Sequence, residues 1–254
     1  EWLHPFLRKW IADICQCFEW FAGILLDRIV AVTPTIAGRF PPKKTWLVQN
    51  YPRLGELVSD KSEPVSVRKP VIVYIGGITE TRGARTMVEA ISLVPEKYKA
   101  KLFLAGNMDS ESLFAGLQKL PGWNCVEYLG WQSREQVAGL LGTAKVGMVS
   151  LHPTANHIHS QPIKLFEYMS AGLPVIASDF PLWRKIVDGC HCGLLVDPMD
   201  PSAISKAICT LLDNPEEASR MGENGKKACR DIYNWNHEAE QLLNCYSTII
   251  SRVS

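Results

Sequence analysis

The sequence predicts an α/β fold, a doubly wound parallel sheet with helices on both faces, on three observations. From residue 70 onward, short apolar runs alternate with segments of helical period, the arrangement of strand, crossover helix and parallel strand. The runs, such as Val71-Ile72-Val73-Tyr74-Ile75 and Val175-Ile176-Ala177, are unbroken, as strands covered on both faces are. Between two of them lies a short helix bracketed by Pro162 and Gly172, residues suited to a first helical position and to the left-handed turn past a helix end.

The elements follow in order. Residues 2 to 26 place Trp2, Leu3, Phe6, Leu7, Trp10, Ile11, Ile14, Phe18, Phe21, Ala22 and Leu25 at helical spacing, with Arg8, Lys9, Asp13 and Glu19 on the other face. The segment is too charged to span a bilayer. Two readings stay open: a helix packed on a core outside this sequence, or one lying on a membrane surface or a partner. Asp27 to Val32 reads as a strand, Pro34 to Arg39 as a short helix and Thr45 to Gln49 as a second strand. The charged, Pro-containing stretch 53–69 reads as a connection.

Val71 to Ile75 is then a strand, Ala84 to Leu93 a helix, Lys101 to Ala105 a strand, Ser110 to Lys119 a helix and Cys125 to Leu129 a strand. Ser133 to Leu141 opens with a capping box of Ser133 and Gln136. Lys145 to Val149 is the next strand, and a long loop, Ser150 to Gln161, leads into the bracketed helix. Strands Val175 to Ala177 and Gly193 to Val196 follow, then a helix from Pro201 to about Leu212, another from Pro215, and a last one from Asn236 to Ile250.

With 254 residues, 46% of them hydrophobic, the chain can bury one large core or two smaller ones. A net charge of +1 offers no general attraction to nucleic acid, so no polyanion partner is implied. Eight cysteines scattered through helix-like and strand-like segments, without a secretory leader, point to reduced thiols and a cytoplasmic protein, peripheral at the inner membrane face if residues 2–26 lie on lipid. Cys15/Cys17 and Cys190-His191-Cys192 lack metal-ligand spacing, so no metal is expected.

Chemistry collects at two strand-to-helix junctions. Ile75-Gly76-Gly77-Ile78-Thr79-Glu80-Thr81-Arg82-Gly83 combines glycines, which let backbone amides approach a phosphate, with an arginine able to fork onto it. It is neither a dinucleotide fingerprint nor a Walker loop. On the bracketed helix Lys164 and Glu167 share a face opposite Ile163, Leu165, Phe166 and Met169. They form either a solvated helical pair or a phosphate-binding cation beside a carboxylate that accepts from ribose hydroxyls. Trp131, after Leu129-Gly130, reads as core packing rather than base stacking. His152, His157 and His159 are each solvated, hinge or sugar-contacting groups.

The helix with the Gly172-Leu173-Pro174-Val175-Ile176-Ala177-Ser178 turn and strand, and the later Gly193-Leu194-Leu195-Val196, resembles the group 1 glycosyltransferases, retaining enzymes of the GT-B fold, over about residues 27 to 250. The resemblance implies that residues 1–52 end an amino-terminal, acceptor-side domain. Residues 53–69 would then be the connection, 70–232 a Rossmann-like nucleotide-sugar-binding domain and 233–254 a carboxy-terminal helix. It implies transfer, without a metal or other cofactor, of a sugar from a nucleotide diphosphate donor such as a UDP-sugar to an unknown saccharide, lipid-linked or small-molecule acceptor, as in polysaccharide biosynthesis. Arg82, Lys164 and Glu167 would be the catalytic groups, and Gly76, Gly77, Arg82, Gly130, His159, Lys164, Leu165 and Glu167 would bind the donor. Three positions depart from the family pattern: Gly77 stands where the family has an arginine, Arg82 where it has a lysine and His159 where it has a glutamate. Gly77 and His159 keep two alternatives open, a catalytically inactive nucleotide-binding or scaffold module and a sugar-nucleotide epimerase. A two-domain enzyme of this fold needs roughly 350 residues or more, so the expectation is a chain that is mainly the donor-binding part and turns over poorly or not at all.

Overall fold

The structure, a computed structural model, describes residues 5–57 and 63–253. The chain forms two units, residues 1–50 with 235–254 and residues 51–234.

The first unit opens with α1 (Pro5–Leu25). Its apolar side is uncovered by the described residues: Trp10, Ile14, Phe18, Phe21 and Leu25 are all exposed, Phe18 at 74%. Glu19 pairs with Arg39, and Lys44 Nζ donates to the carbonyls of Ile24 and Leu26, which the helix end leaves unpaired. Trp2 and Leu3 lie outside the described residues. Then come β1 (Ile29–Ala31), α2 (Pro34–Ala37, capped by Thr33) and β2 (Thr45–Leu47), parallel to β1. Each is a residue or two shorter than its apolar run. Among the described residues no helix is long and apolar enough to cross a membrane.

The second unit holds the predicted sheet: β3 (Val71–Ile75), α3 (Ala84–Ser92), β4 (Lys101–Ala105), α4 (Glu111–Gln118), β5 (Val126–Gly130), α5 (Arg134–Thr143), β6 (Val146–Val149), α6 (Ala155–Ile158), α7 (Ile163–Ser170), β7 (Val175–Ser178), α8 (Pro181–Cys190), β8 (Gly193–Val196), α9 (Pro201–Asp213) and α10 (Pro215–Asp231). Strand order is β5-β4-β3-β6-β7-β8, every pairing parallel. After β3 the chain builds outward to β5, then returns to β3's other side for β6 and builds the opposite way. The carboxyl ends of β3 and β6 therefore diverge at a switch point, where such sheets leave a crevice. The interior residues of β3, β6 and β7 are buried, which requires cover on both faces.

Three local expectations change. The long loop before α7 carries the turn of helix α6, capped by Thr154. Pro162 is the residue before the helix rather than its first member; its backbone is extended (φ −70°, ψ 126°) and its carbonyl accepts from Leu165 N at 3.0 Å. The two-faced reading of α7 also fails, since Leu165 through Ser170 are all buried: the helix lies between β6 and β7 on one side and α10 on the other. At its end Gly172 takes φ +75°, the left-handed turn expected there. The last helix, α11 (Trp235–Val253), belongs to the first unit and packs on β2, with Glu238 accepting from Gln49 N and Thr248 from Arg28 Nε.

Candidate functional site

A cleft of about 430 Å³ opens at the switch point of the second unit. Its walls come from the end of β3 (Ile75, Gly76), Arg82, the end of β4 (Ala105, Gly106), the start of α5 with the residues before it (Trp131, Gln132, Arg134, Val137) and the start of α7 (Pro162, Ile163, Lys164, Glu167). These segments are far apart in sequence and meet because parallel strands deliver all their carboxyl ends to one edge.

The loop after β3 is tied to the loop before α7: His152 N donates to Thr81 O at 2.9 Å, and His152 Nε2 lies 3.0 Å from Thr86 Oγ1. Burial holds the His152 imidazole below its usual range, with Glu80 opposing. Arg82 ends a short turn of 3-10 helix, Glu80–Arg82, capped by Thr79. On the facing side, Trp183 of α8 donates from Nε1 to Ser160 O at 2.7 Å and fixes the approach to α7.

Lys164 is the centre of the arrangement. Its ammonium lies 4.8 Å over the Tyr74 ring, 3.4 Å from the Tyr74 hydroxyl, and against Gly76, where a Cβ would stand 2.5 Å from Nζ. Gly76 also has φ +134°, a backbone conformation that favours glycine. Burial, and then Arg82 nearby, push the Lys164 ammonium down to about 8, with Glu167 opposing. It is still a cation at pH 7. Tyr74 is buried, donates to Gly77 O at 2.9 Å, and is pushed up to about 12 by burial against the influence of Arg82. The solvated-pair reading of Lys164 and Glu167 is therefore excluded: Glu167 is buried, Lys164 is half-buried, and both stand in the cleft wall. At the start of α7 no side chain caps the helix, and although Leu165 N is taken by Pro162 O, the Ile163 and Lys164 amides of the first turn are free to meet a ligand.

Of the residues singled out from sequence, Gly76, Arg82, Lys164 and Glu167 line this one cleft. The others do not. Leu165 is fully buried in the core, and its amide is used by Pro162. Gly77 lies under Arg82, where a Cβ would come 3.0 Å from Nη1. Gly130 has φ +64° and accepts from Gly106 N at 2.7 Å, serving the strand end rather than the cleft. His159 is exposed at the end of α6 and is not among the lining residues. Trp131, read as core packing, is 68% exposed at the cleft mouth, because the glycine before it turns the chain outward.

Sequence reasoning missed Tyr74, Gln132 and Arg134. Arg134 Nη1 donates to Glu167 Oε1 at 2.7 Å, and its Nε and Nη2 reach Glu56 Oε1 at 2.9 and 2.8 Å. Its available signal was position: it immediately follows the helix cap Ser133, just beyond the carboxyl end of a strand. Among the described residues no group of three or more His, Cys, Asp or Glu side chains is arranged to hold a metal ion.

Fold and cleft define a Rossmann-like α/β domain with a cationic crevice at its switch point. The chain belongs to the glycosyl transferases group 1 family, whose model matches residues 58–228. Over 194 residues it is 27% identical to MMP alpha-(1->4)-mannosyltransferase of Mycolicibacterium hassiacum, covering 74% of this chain and 45% of that protein. Over 201 residues it is 28% identical to phosphatidyl-myo-inositol mannosyltransferase of Mycobacterium leprae, covering 78% and 48%. The chain thus spans a little under half the length of these relatives. Among solved structures it is similar to sucrose-phosphate synthase from Thermosynechococcus elongatus (TM-score 0.74, 23% identity, 89% of this chain and 59% of that one). It is likewise similar to Anabaena HepE in complex with UDP (TM-score 0.75, 13% identity, 89% and 65%). These likenesses show that the GT-B glycosyltransferase fold is shared.

Proposed function

We propose that the cleft binds the nucleotide diphosphate of a sugar donor, and that the protein to which this chain belongs transfers the sugar to an acceptor with retention and without a divalent cation. The observation that carries this is the environment of Lys164. An ammonium held beside Gly76 and Tyr74, with Arg82 nearby and an uncapped helix start around it, is poorly solvated, and the Glu167 carboxylate offsets only part of that. A diphosphate supplies a further anion. As the bond between sugar and diphosphate breaks, negative charge grows on the leaving phosphate, and Arg82, Lys164 and the first-turn amides of α7 would stabilise it in place. Cations already present in the cleft would do what a metal does elsewhere. Glu167 would accept from the ribose, while Gly76 and Gly106 leave room for the backbone to approach.

The donor's identity is open to direct assay. Two relatives are named mannosyltransferases, and HepE has been solved with UDP and with UDP-glucose. UDP-sugars and GDP-sugars are therefore the first donors to titrate by calorimetry. The acceptor is a saccharide, a lipid-linked group or a small molecule, bound largely by segments these relatives possess beyond the matched half. Binding of a nucleotide diphosphate sugar, with loss of transfer in Arg82→Ala and Glu167→Ala of the longer protein, supports the reading. No binding of any nucleotide diphosphate at millimolar concentration contradicts it, and binding with transfer indifferent to both variants favours a scaffold.

A further inference from the structure

Arg134 is the first residue of α5 and stands in the cleft wall with its side chain 51% exposed. A guanidinium has five N–H groups. Here the Nη1 contact goes to Glu167 Oε1, and the Nε and Nη2 contacts both go to Glu56 Oε1. Glu56 belongs to the segment 53–57, so Arg134 is gripped from the side away from Glu167 and has little freedom to swing. The Glu167 side chain, by contrast, is only 9% exposed, and a carboxylate so withdrawn from water needs a hydrogen-bonding partner to hold it in place. Among the described residues, the hydrogen bond and ion pair to its side chain come from Arg134, 33 positions earlier in the chain. That contact occupies Oε1 and leaves Oε2 to the cleft.

We propose that Arg134 is a positioning residue for ribose recognition. It fixes the Glu167 carboxylate so that Oε2 accepts from the vicinal hydroxyls of the donor nucleoside, and Glu56 holds Arg134 in place. The inference rests on the donor-site reading above and adds to it a residue, a tether and a measurable preference. Freed of Arg134, the Glu167 carboxylate would be both mobile and poorly solvated, and would no longer present one oxygen to a diol. The phosphate-binding groups, Arg82 and Lys164, would be untouched, so the loss falls on hydroxyl recognition alone.

The test is calorimetric titration of the whole chain with UDP and with 2′,3′-dideoxy-UDP. Wild type is expected to prefer UDP by about tenfold or more, the worth of hydrogen bonds to a charged acceptor. In Arg134→Ala that preference collapses toward unity through weaker UDP binding, while affinity for the dideoxy analogue stays within about twofold. Arg134→Lys, which keeps the charge but loses the fork, restores part of the preference. Glu56→Gln lowers it less than Arg134→Ala. Should Arg134→Ala not fold, Glu56→Gln decides alone, and an unchanged preference in it overturns the proposal. A wild-type preference kept intact in Arg134→Ala, or an equal loss of both ligands, overturns the role of Arg134 and leaves the donor site standing. A wild type that binds UDP without preference overturns the ribose contact of Glu167 and this inference with it. A wild type that binds neither ligand overturns the donor site itself.

Discussion

Two helices begin at the cleft, and they begin differently. At the start of α5, Ser133 accepts from Gln136 N and Gln136 Oε1 accepts from Ser133 N, so the helix seals its own first turn. The side chain it sends into the cleft, Arg134, is already occupied by two carboxylates. At the start of α7, Pro162 gives no side-chain cap, and the side chain entering the cleft is an ammonium lowered to about 8 by burial. A capped helix start with a paired cation is stable without a ligand. An uncapped start with a desolvated cation is held for one. On the proposed function, α5 would support the site and α7 would bind the ligand.

The largest expected effect comes from removing the α7 cation. Lys164→Met should weaken UDP binding by about a hundredfold and, by relieving a desolvated charge, raise stability at pH 7 by roughly 1 to 3 kcal/mol, read by calorimetry and thermal melting. Binding lost together with stability would place Lys164 in the fold rather than the site. Next, Arg82→Ala should weaken UDP binding by about tenfold, with little change in melting temperature.

Acidity separates the two helix starts further. Lys164 titrates near 8 when folded against 10.5 as its ordinary value. Between those values the unfolded chain holds a proton that the folded chain has lost, so stability of the free protein should rise with pH across that window. UDP favours the protonated ammonium, so its affinity should fall over the same window, by about tenfold between pH 8 and 10. Lys164→Met should abolish both slopes. The smallest effect on binding belongs to α5: Ser133→Ala should cost about 1 kcal/mol of stability and leave UDP affinity within about twofold.

What the residues disclosed beforehand follows from how local each cue is. Gly172 at φ +75°, the apolar strand runs and the capping box of α5 are decided by neighbours in sequence, and they stand where expected. The surroundings of Lys164 and Glu167 are set by Tyr74 and Arg134, remote in the chain, so helical periodicity alone left both a solvated pair and a ligand-binding pair open. Arg134 escaped notice because its partners lie 78 and 33 positions away. His159 was implied by the family pattern and Gly130 only as a possible backbone contact, and neither is among the residues lining the cleft. The two ends of the scale appear in α1 and α7. Similar apolar spacing leaves Ile14, Phe18, Phe21 and Leu25 exposed in one and buries Leu165 through Ser170 in the other, since periodicity marks a face without saying what covers it.

The most direct measurement is an experimental structure of this chain with UDP bound. The account predicts the diphosphate between Arg82, the Lys164 ammonium and the first turn of α7, with the ribose hydroxyls on Glu167 Oε2 and Arg134 still on Oε1. UDP bound away from this cleft, or with its phosphates on Arg134 and its ribose out of reach of Glu167, would contradict it.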